Sequence, residues 1–235
     1  MMMIGWVGDY GHTGQNPGDN ITYTRLSALR EVNWDVKTQN LVANPVPELM
    51  GLRGSSLASE HIAALPINSP HVIAKTGSGA AASSDIVLKF SGFKRAASPG
   101  GQHHFGACVL GNGTSGSGMG ITVSVQPAPN GTHVASIASG ICRGPGQIDA
   151  GATITIFADE DELSIRILAD RSVADIFVQG GRWAATQGWQ HTAPRKPADS
   201  NVMVWSGSTG VSVQVGVHAM GCGWLNPSYT DKPTL

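Results

Sequence analysis

The chain has 235 residues, with 31 Gly and 13 Pro, and only 13% of its residues are charged. That composition is rich in turns and too poor in charged helix-forming stretches for a helical bundle, and a formal net charge of −1 offers no field to gather nucleic acid or anionic lipid. No apolar run approaches the roughly 20 residues needed to span a bilayer, and a chain this long can bury roughly 70% of its unfolded surface, so a core requires neither metal nor disulfide.

In chain order, the opening Met1-Met2-Met3-Ile4-Gly5-Trp6-Val7 has no basic flank and no long apolar run, so no targeting signal is expected there. It reads instead as a strand over residues 3–7, followed by a Gly/Asn/Pro loop over 8–20, a strand around 21–27 and an apolar run over 41–53. From residue 55 to about 224 the pattern is short strands between Gly, Pro, Asn and Ser clusters. About ten are expected, including 85–93, 105–110, 120–126, 153–158 and 201–206. Ile86/Leu88/Phe90 and Ile121/Val123/Val125 alternate with polar residues as the faces of a two-sheet sandwich should. Residues 77–84 and 111–120 read as loops and 226–235 as a tail.

Residues 159–189 are the most informative stretch. Leu163/Ile165/Ile167 and Ala174/Ile176/Val178 alternate on either side of a polar turn at Asp170-Arg171-Ser172, and Gly180-Gly181 opens a second turn into residues 182–187. That order predicts a three-strand meander. Asp159-Glu160-Asp161-Glu162 reads as a solvated hairpin tip, because adjacent carboxylates point apart and no His or Arg neighbours them in sequence to set unequal acidities. Asp170 and Asp175 read as structural groups holding the turn and a neighbouring cation such as Arg166.

Other groups have mundane readings beside chemical ones. His103-His104 would need distant partners to bind a metal, since successive strand residues face opposite sides, and a loop role is expected. Cys108, Cys142 and Cys222 fit no zinc or Cys-x-x-Cys spacing and read as small apolar core residues. Asn20-Ile21-Thr22, Asn112-Gly113-Thr114 and Asn130-Gly131-Thr132 are N-glycosylation acceptors in form. The last two are equally Asn-Gly turns. Trp183 and Trp189 could stack on a sugar ring, and burial between sheets explains them as well.

The order Leu163-Ser-Ile-Arg-Ile-Leu-Ala-Asp-Arg-Ser, Asp175-Ile-Phe and Gly180-Gly-Arg resembles the signature hairpin in the C-terminal β-sandwich of the invertase and fructanase enzymes, glycoside hydrolase family 32, with Asp175 where that family usually has Glu. Residues 210–224, with valines at 211, 213, 215 and 217, resemble its closing strand. Residues 4–7, 25–35 and 41–53 resemble the end of its catalytic propeller and the passage into the sandwich, with Leu29-Arg30 where the family has Pro-Arg.

The resemblance implies an all-β chain: a remnant of the last propeller blade and linker at 1–54, a two-sheet antiparallel β-sandwich at 55–225, and a tail at 226–235. It implies a parent activity of β-fructofuranosidase type with no metal or organic cofactor, and fructosides such as sucrose or fructans as carbohydrate partners. Retaining hydrolysis needs two carboxyl groups about 5 Å apart. The family takes its nucleophile from Asn-Asp-Pro-Asn, a stabilising Asp from Arg-Asp-Pro and its acid/base from Glu-Cys. This sequence has no Asp-Pro, and its cysteines follow Ala107, Ile141 and Gly221. No catalytic, cofactor or metal residue is therefore expected in it. Apolar groups at Ile4, Trp6, Val7, Leu41 and Val42 should lie uncovered, awaiting a propeller domain or a second copy. A different class remains open: a stand-alone lectin-like carbohydrate-binding or interaction module.

Overall fold

The computed structural model describes residues 1–8, 24–74, 80–94, 102–111, 118–142, 151–170, 173–188 and 201–221. Five short strands come first: β1 (Met2–Met3), β2 (Trp6–Gly8), β3 (Thr24–Leu26), β4 (Arg30–Asp35) and β5 (Asn40–Pro45). The run expected over 3–7 is thus broken at Ile4-Gly5. A 3-10 turn at Pro47–Leu52 leads into β6 (Arg53–Ile62), so the expected division at residue 54 falls inside a strand.

The sandwich is then built from β7 (His71–Ala74), β8 (Ser83–Ser91), β9 (His103–Gly111), β10 (Met119–Pro127), β11 (His133–Ile141), β12 (Ala152–Ile156), β13 (Glu162–Asp170), β14 (Val173–Val178), β15 (Trp183–Gly188), β16 (Asn201–Ser206) and β17 (Ser212–Met220). One six-stranded sheet runs β15-β14-β13-β8-β17-β6 and the other β12-β11-β10-β9-β16-β7. The first residues form a three-stranded sheet, β1-β4-β5, and the pair β2-β3.

The alternation read from the sequence decides which face is buried. Ile86, Leu88 and Phe90 of β8, Leu163, Ile165 and Ile167 of β13, and Val213, Val215 and Val217 of β17 meet Ile121, Val123 and Val125 of β10 in a single core. Phe90 stacks on Phe105 across the two sheets, with ring centroids 4.5 Å apart. The meander over 159–188 is present, with Ile167 opposite Ile176 and Val178 opposite Trp183. Trp183 is half-buried against the core.

Strands at β6, β7 and β11 were not among those the pattern singled out. In β11, His-Val-Ala-Ser-Ile-Ala-Ser-Gly-Ile, the inward residues Ala135 and Ile137 are separated by small residues, so the alternation is faint. His103 and His104 correct the loop reading. They open β9 opposite Val125 and Ser124 of β10, and His103 is buried.

The cysteines also correct the sequence reading. Cys108 and Cys142 form a disulfide, with Cα atoms 5.4 Å apart, although β9 and β11 are separated by β10. Gly120 of β10 makes it possible, since a Cβ there would sit 2.8 Å from the Cys142 Cα. With no side chain in the way, the chain leaving β11 folds over β10, its Cys142 amide donating to the Gly118 carbonyl at 3.1 Å. The disulfide lies buried beside Met203 and Val72. Cys222, Trp189, Trp224, Asn20, Asn112 and the tail at 226–235 lie outside the described residues.

Candidate functional site

Among the described residues, a dense set of polar contacts lies where β4 and β5 meet the β13–β15 meander. It follows from alternation: Ala174 and Ile176 face the core, so Asp175 and Phe177 project from the opposite face of their sheet. Arg30 of β4 covers them. Its Nη2 donates to Asp175 Oδ1 at 2.6 Å and also to Thr186 Oγ1, and its guanidinium lies 5.1 Å from the Phe177 ring centroid. The Ala28 amide donates to Asp175 Oδ2 at 2.7 Å. Arg30 and Asp175 are both buried. Asp175 therefore holds Arg30, and the expectation that it pairs with Arg166 is overturned.

Arg166 serves another carboxylate. Its Nε donates to Asp85 Oδ1 at 2.9 Å and its Nη2 to Oδ2 at 2.6 Å, while Arg53 Nε donates to Oδ2 at 2.6 Å. Burial of Asp85 acts to raise its carboxyl, but the Arg166 and Arg53 contacts prevail and hold it below the usual value. Register puts Asp175, Leu168 and Asp85 in one row across β14, β13 and β8, so the Cα atoms of the two acids are roughly 10 Å apart at about 4.8 Å per strand. Asp170 lies 3.5 Å from the Ser83 hydroxyl, at the end of β13.

The second turn of the meander completes the junction. Gly181 has φ +81°, and a Cβ on it would run into the Ala43 carbonyl, so only glycine lets β5 pass this close. The Ala43 amide donates to the Gly181 carbonyl at 3.0 Å, and the Asn44 side-chain amide to the Gly180 carbonyl at 2.8 Å.

The acidic stretch at 159–162 is not the free tip the sequence suggested. Arg182 grips Glu160 with two bonds, Nη1 to Oε2 at 2.7 Å and Nη2 to Oε1 at 2.5 Å. The Phe157 amide and Lys37 Nζ add to these. Burial pushes the Glu160 carboxyl upward, but these donors overcome it and hold it at about 2. Arg182 and Lys37 also flank the Phe157 ring at 5.0 and 4.7 Å. The cations come from residues 22 and 123 positions away in sequence, so inspection of sequence neighbours alone could not find them.

A groove of about 180 Å³ opens beside this corner, between β5 and β12, lined by Thr38, Asn40, Leu41, Thr153, Thr155 and Arg182 among others. Trp34 of β4, register partner of Leu41, is exposed. It is the aromatic that sequence reading missed.

Among the described residues, the carboxylates whose acidity is clearly displaced, Asp35, Asp85, Asp159 and Glu160, are all shifted down. A general acid needs the opposite displacement. Among the described residues no group of three His, Cys, Asp or Glu side chains is placed to hold a metal ion. The groove presents the hydroxyls of Thr38, Thr153 and Thr155, the side-chain amide of Asn40 and the Arg182 guanidinium.

Compared with known proteins, the sequence matches no family model and no curated protein. Solved structures do match. Fructan 1-exohydrolase IIa from Cichorium intybus is similar at a TM-score of 0.65 and 18% identity over 84% of this chain and 41% of that one. Exo-inulinase from Aspergillus awamori gives 0.60 and 15% over 95% and 41%, and sucrose-6-phosphate hydrolase from Lactobacillus gasseri 0.54 and 18% over 94% and 38%. What is shared is the fold. The chain spans about two fifths of the length of these enzymes.

Proposed function

We propose that the chain is the C-terminal part of an enzyme of glycoside hydrolase family 32, residues 1–54 closing a catalytic propeller and residues 55–225 forming its β-sandwich. Alone it hydrolyses no fructoside. The observation that carries the reading is the junction itself. The residues by which the sequence resembles the family, Arg30, Asp175, Phe177, Gly180, Gly181 and Arg182, are the ones that fasten the first strands to the sandwich. A shared fold with fructan- and sucrose-phosphate-cleaving enzymes, over about two fifths of their length, supports it. So does a sequence without Asp-Pro or Glu-Cys.

The chemistry expected of the whole enzyme is cleavage of a β-fructofuranoside through a covalent fructosyl intermediate, with one carboxylate as nucleophile and a second carboxyl as acid/base. The carboxylates of the junction cannot stand in for these. Asp85 and Asp175 are saturated by arginines and backbone, and Glu160 is held ionised at about 2, where it has no proton to give.

The nucleotide sequence upstream of Met1 tests this reading. In-frame Asn-Asp-Pro-Asn, Arg-Asp-Pro and Glu-Cys blocks would support it; a stop codon close upstream in the same frame would favour a stand-alone module. The groove lined by Asn40, Thr153 and Thr155 is what such a lectin-like module would use, and titration calorimetry with sucrose and 1-kestose measures that reading separately.

A further inference from the structure

Of the three Asn-x-Thr acceptor sequences, Asn130-Gly131-Thr132 is the one inside the described residues, and the fold displays it. Residues 128–132 form the tip of the β10–β11 hairpin. Asn130 and Gly131 both take left-handed backbone, with φ of 61° and 71°, the conformation Asn-Gly supplies at a tight turn. The tip closes on itself: the Ala128 amide donates to the Thr132 carbonyl at 2.9 Å, and the Thr132 hydroxyl to the Pro129 carbonyl at 2.8 Å. Asn130 is exposed, and no hydrogen bond ties its carboxamide to any described residue.

An independent feature at the other end of the same hairpin bears on the compartment. The buried Cys108–Cys142 disulfide closes a loop of 34 residues that contains the whole hairpin. One glycine makes room for it: Gly120, where a Cβ would press on the Cys142 backbone. A disulfide so accommodated and shielded from reductant belongs to proteins that fold in an oxidising compartment, and N-glycans are attached to Asn-x-Ser/Thr segments in that same setting.

We propose that this chain matures in an oxidising secretory compartment and carries an N-linked oligosaccharide on Asn130. In the transfer, the anomeric carbon of a lipid-diphosphate-linked oligosaccharide loses its bond to the diphosphate oxygen and gains one to Asn130 Nδ2. The amide proton leaves and the lipid diphosphate is released. The disulfide forms as the Cys108 and Cys142 thiols give two protons and two electrons to the disulfide of a thiol oxidoreductase, which becomes a dithiol. None of this rests on the glycosidase reading.

The test is secretion of the full chain from a yeast behind the host's own leader, as wild type, Thr132→Ala and Thr132→Ser. Peptide-N-glycosidase treatment in heavy-oxygen water marks each formerly glycosylated asparagine, and a non-reducing peptide map reports the 108–142 link. The Asn130 peptide should be marked in wild type and in Thr132→Ser, which keeps the hydroxyl, and unmarked in Thr132→Ala, with the link present in all three. An unmarked Asn130 peptide in linked wild-type protein would overturn the proposal. So would free thiols at both Cys108 and Cys142 in the secreted chain.

Discussion

At the scale of single residues, the junction turns on two carboxylates with different roles. Glu160 has its folded pKa depressed from 4.5 to about 2, so its stabilisation is fully present above about pH 4.5 and is lost as pH falls toward 2. Glu160→Gln should cost about 1–2 kcal/mol at pH 7, discounted for solvent screening, and thermal melts should show the gap between variant and wild type closing by pH 2–3. A gap unchanged with pH would mean that the charge contributes nothing. Arg30 makes the sharper case, because removing it leaves Asp175 buried with an uncompensated charge. Arg30→Met should cost about 3–5 kcal/mol, read by urea unfolding. In the double variant with Asp175→Asn much of that loss should return, since no buried charge is then left unpaired.

At the scale of strands, Ile167 and Ile176 face each other across β13 and β14, each only 1% exposed. Ile176→Asp should place a bare charge in the core and abolish the cooperative melt; an ordinary melt would mean that the register is wrong by one. Removing the disulfide through Cys108→Ala with Cys142→Ala should cost about 3–4 kcal/mol for a 34-residue closed loop, measured by the shift in denaturation midpoint. The meander and the two-sheet core were legible because large β-branched residues alternate with polar ones along β8, β10, β13 and β17. Where the inward residues are small, as in β11, that contrast vanishes. The disulfide was illegible for another reason: spacing counts residues along the chain, whereas Cys142 reaches Cys108 across a strand whose Gly120 has no side chain. The partners of Asp175 and Glu160 were hidden likewise, since Arg30 is 145 positions from Asp175.

At the scale of the whole molecule, the first strands are partly seated and partly bare. Val42 and Val46 are buried with Arg30, while Ile4, Trp34 and Leu41 are exposed, so only part of the expected apolar surface is uncovered. Deleting residues 1–54 would strip Arg30 from Asp175 and Arg53 from Asp85, two buried carboxylates, and should lower stability, read as a drop in melting temperature. The fold shared with fructan- and sucrose-phosphate-cleaving enzymes is proposed to carry no hydrolysis in this chain alone. The most direct test of that proposal is fructose release from sucrose and inulin by the purified chain. The expected rate equals the buffer control at every pH from 4 to 8, since Asp85 and Asp175 are engaged by arginines and Glu160 is held ionised at about 2; release above that control, abolished in Asp175→Asn or Asp170→Asn, would mean that the chain carries an active site of its own.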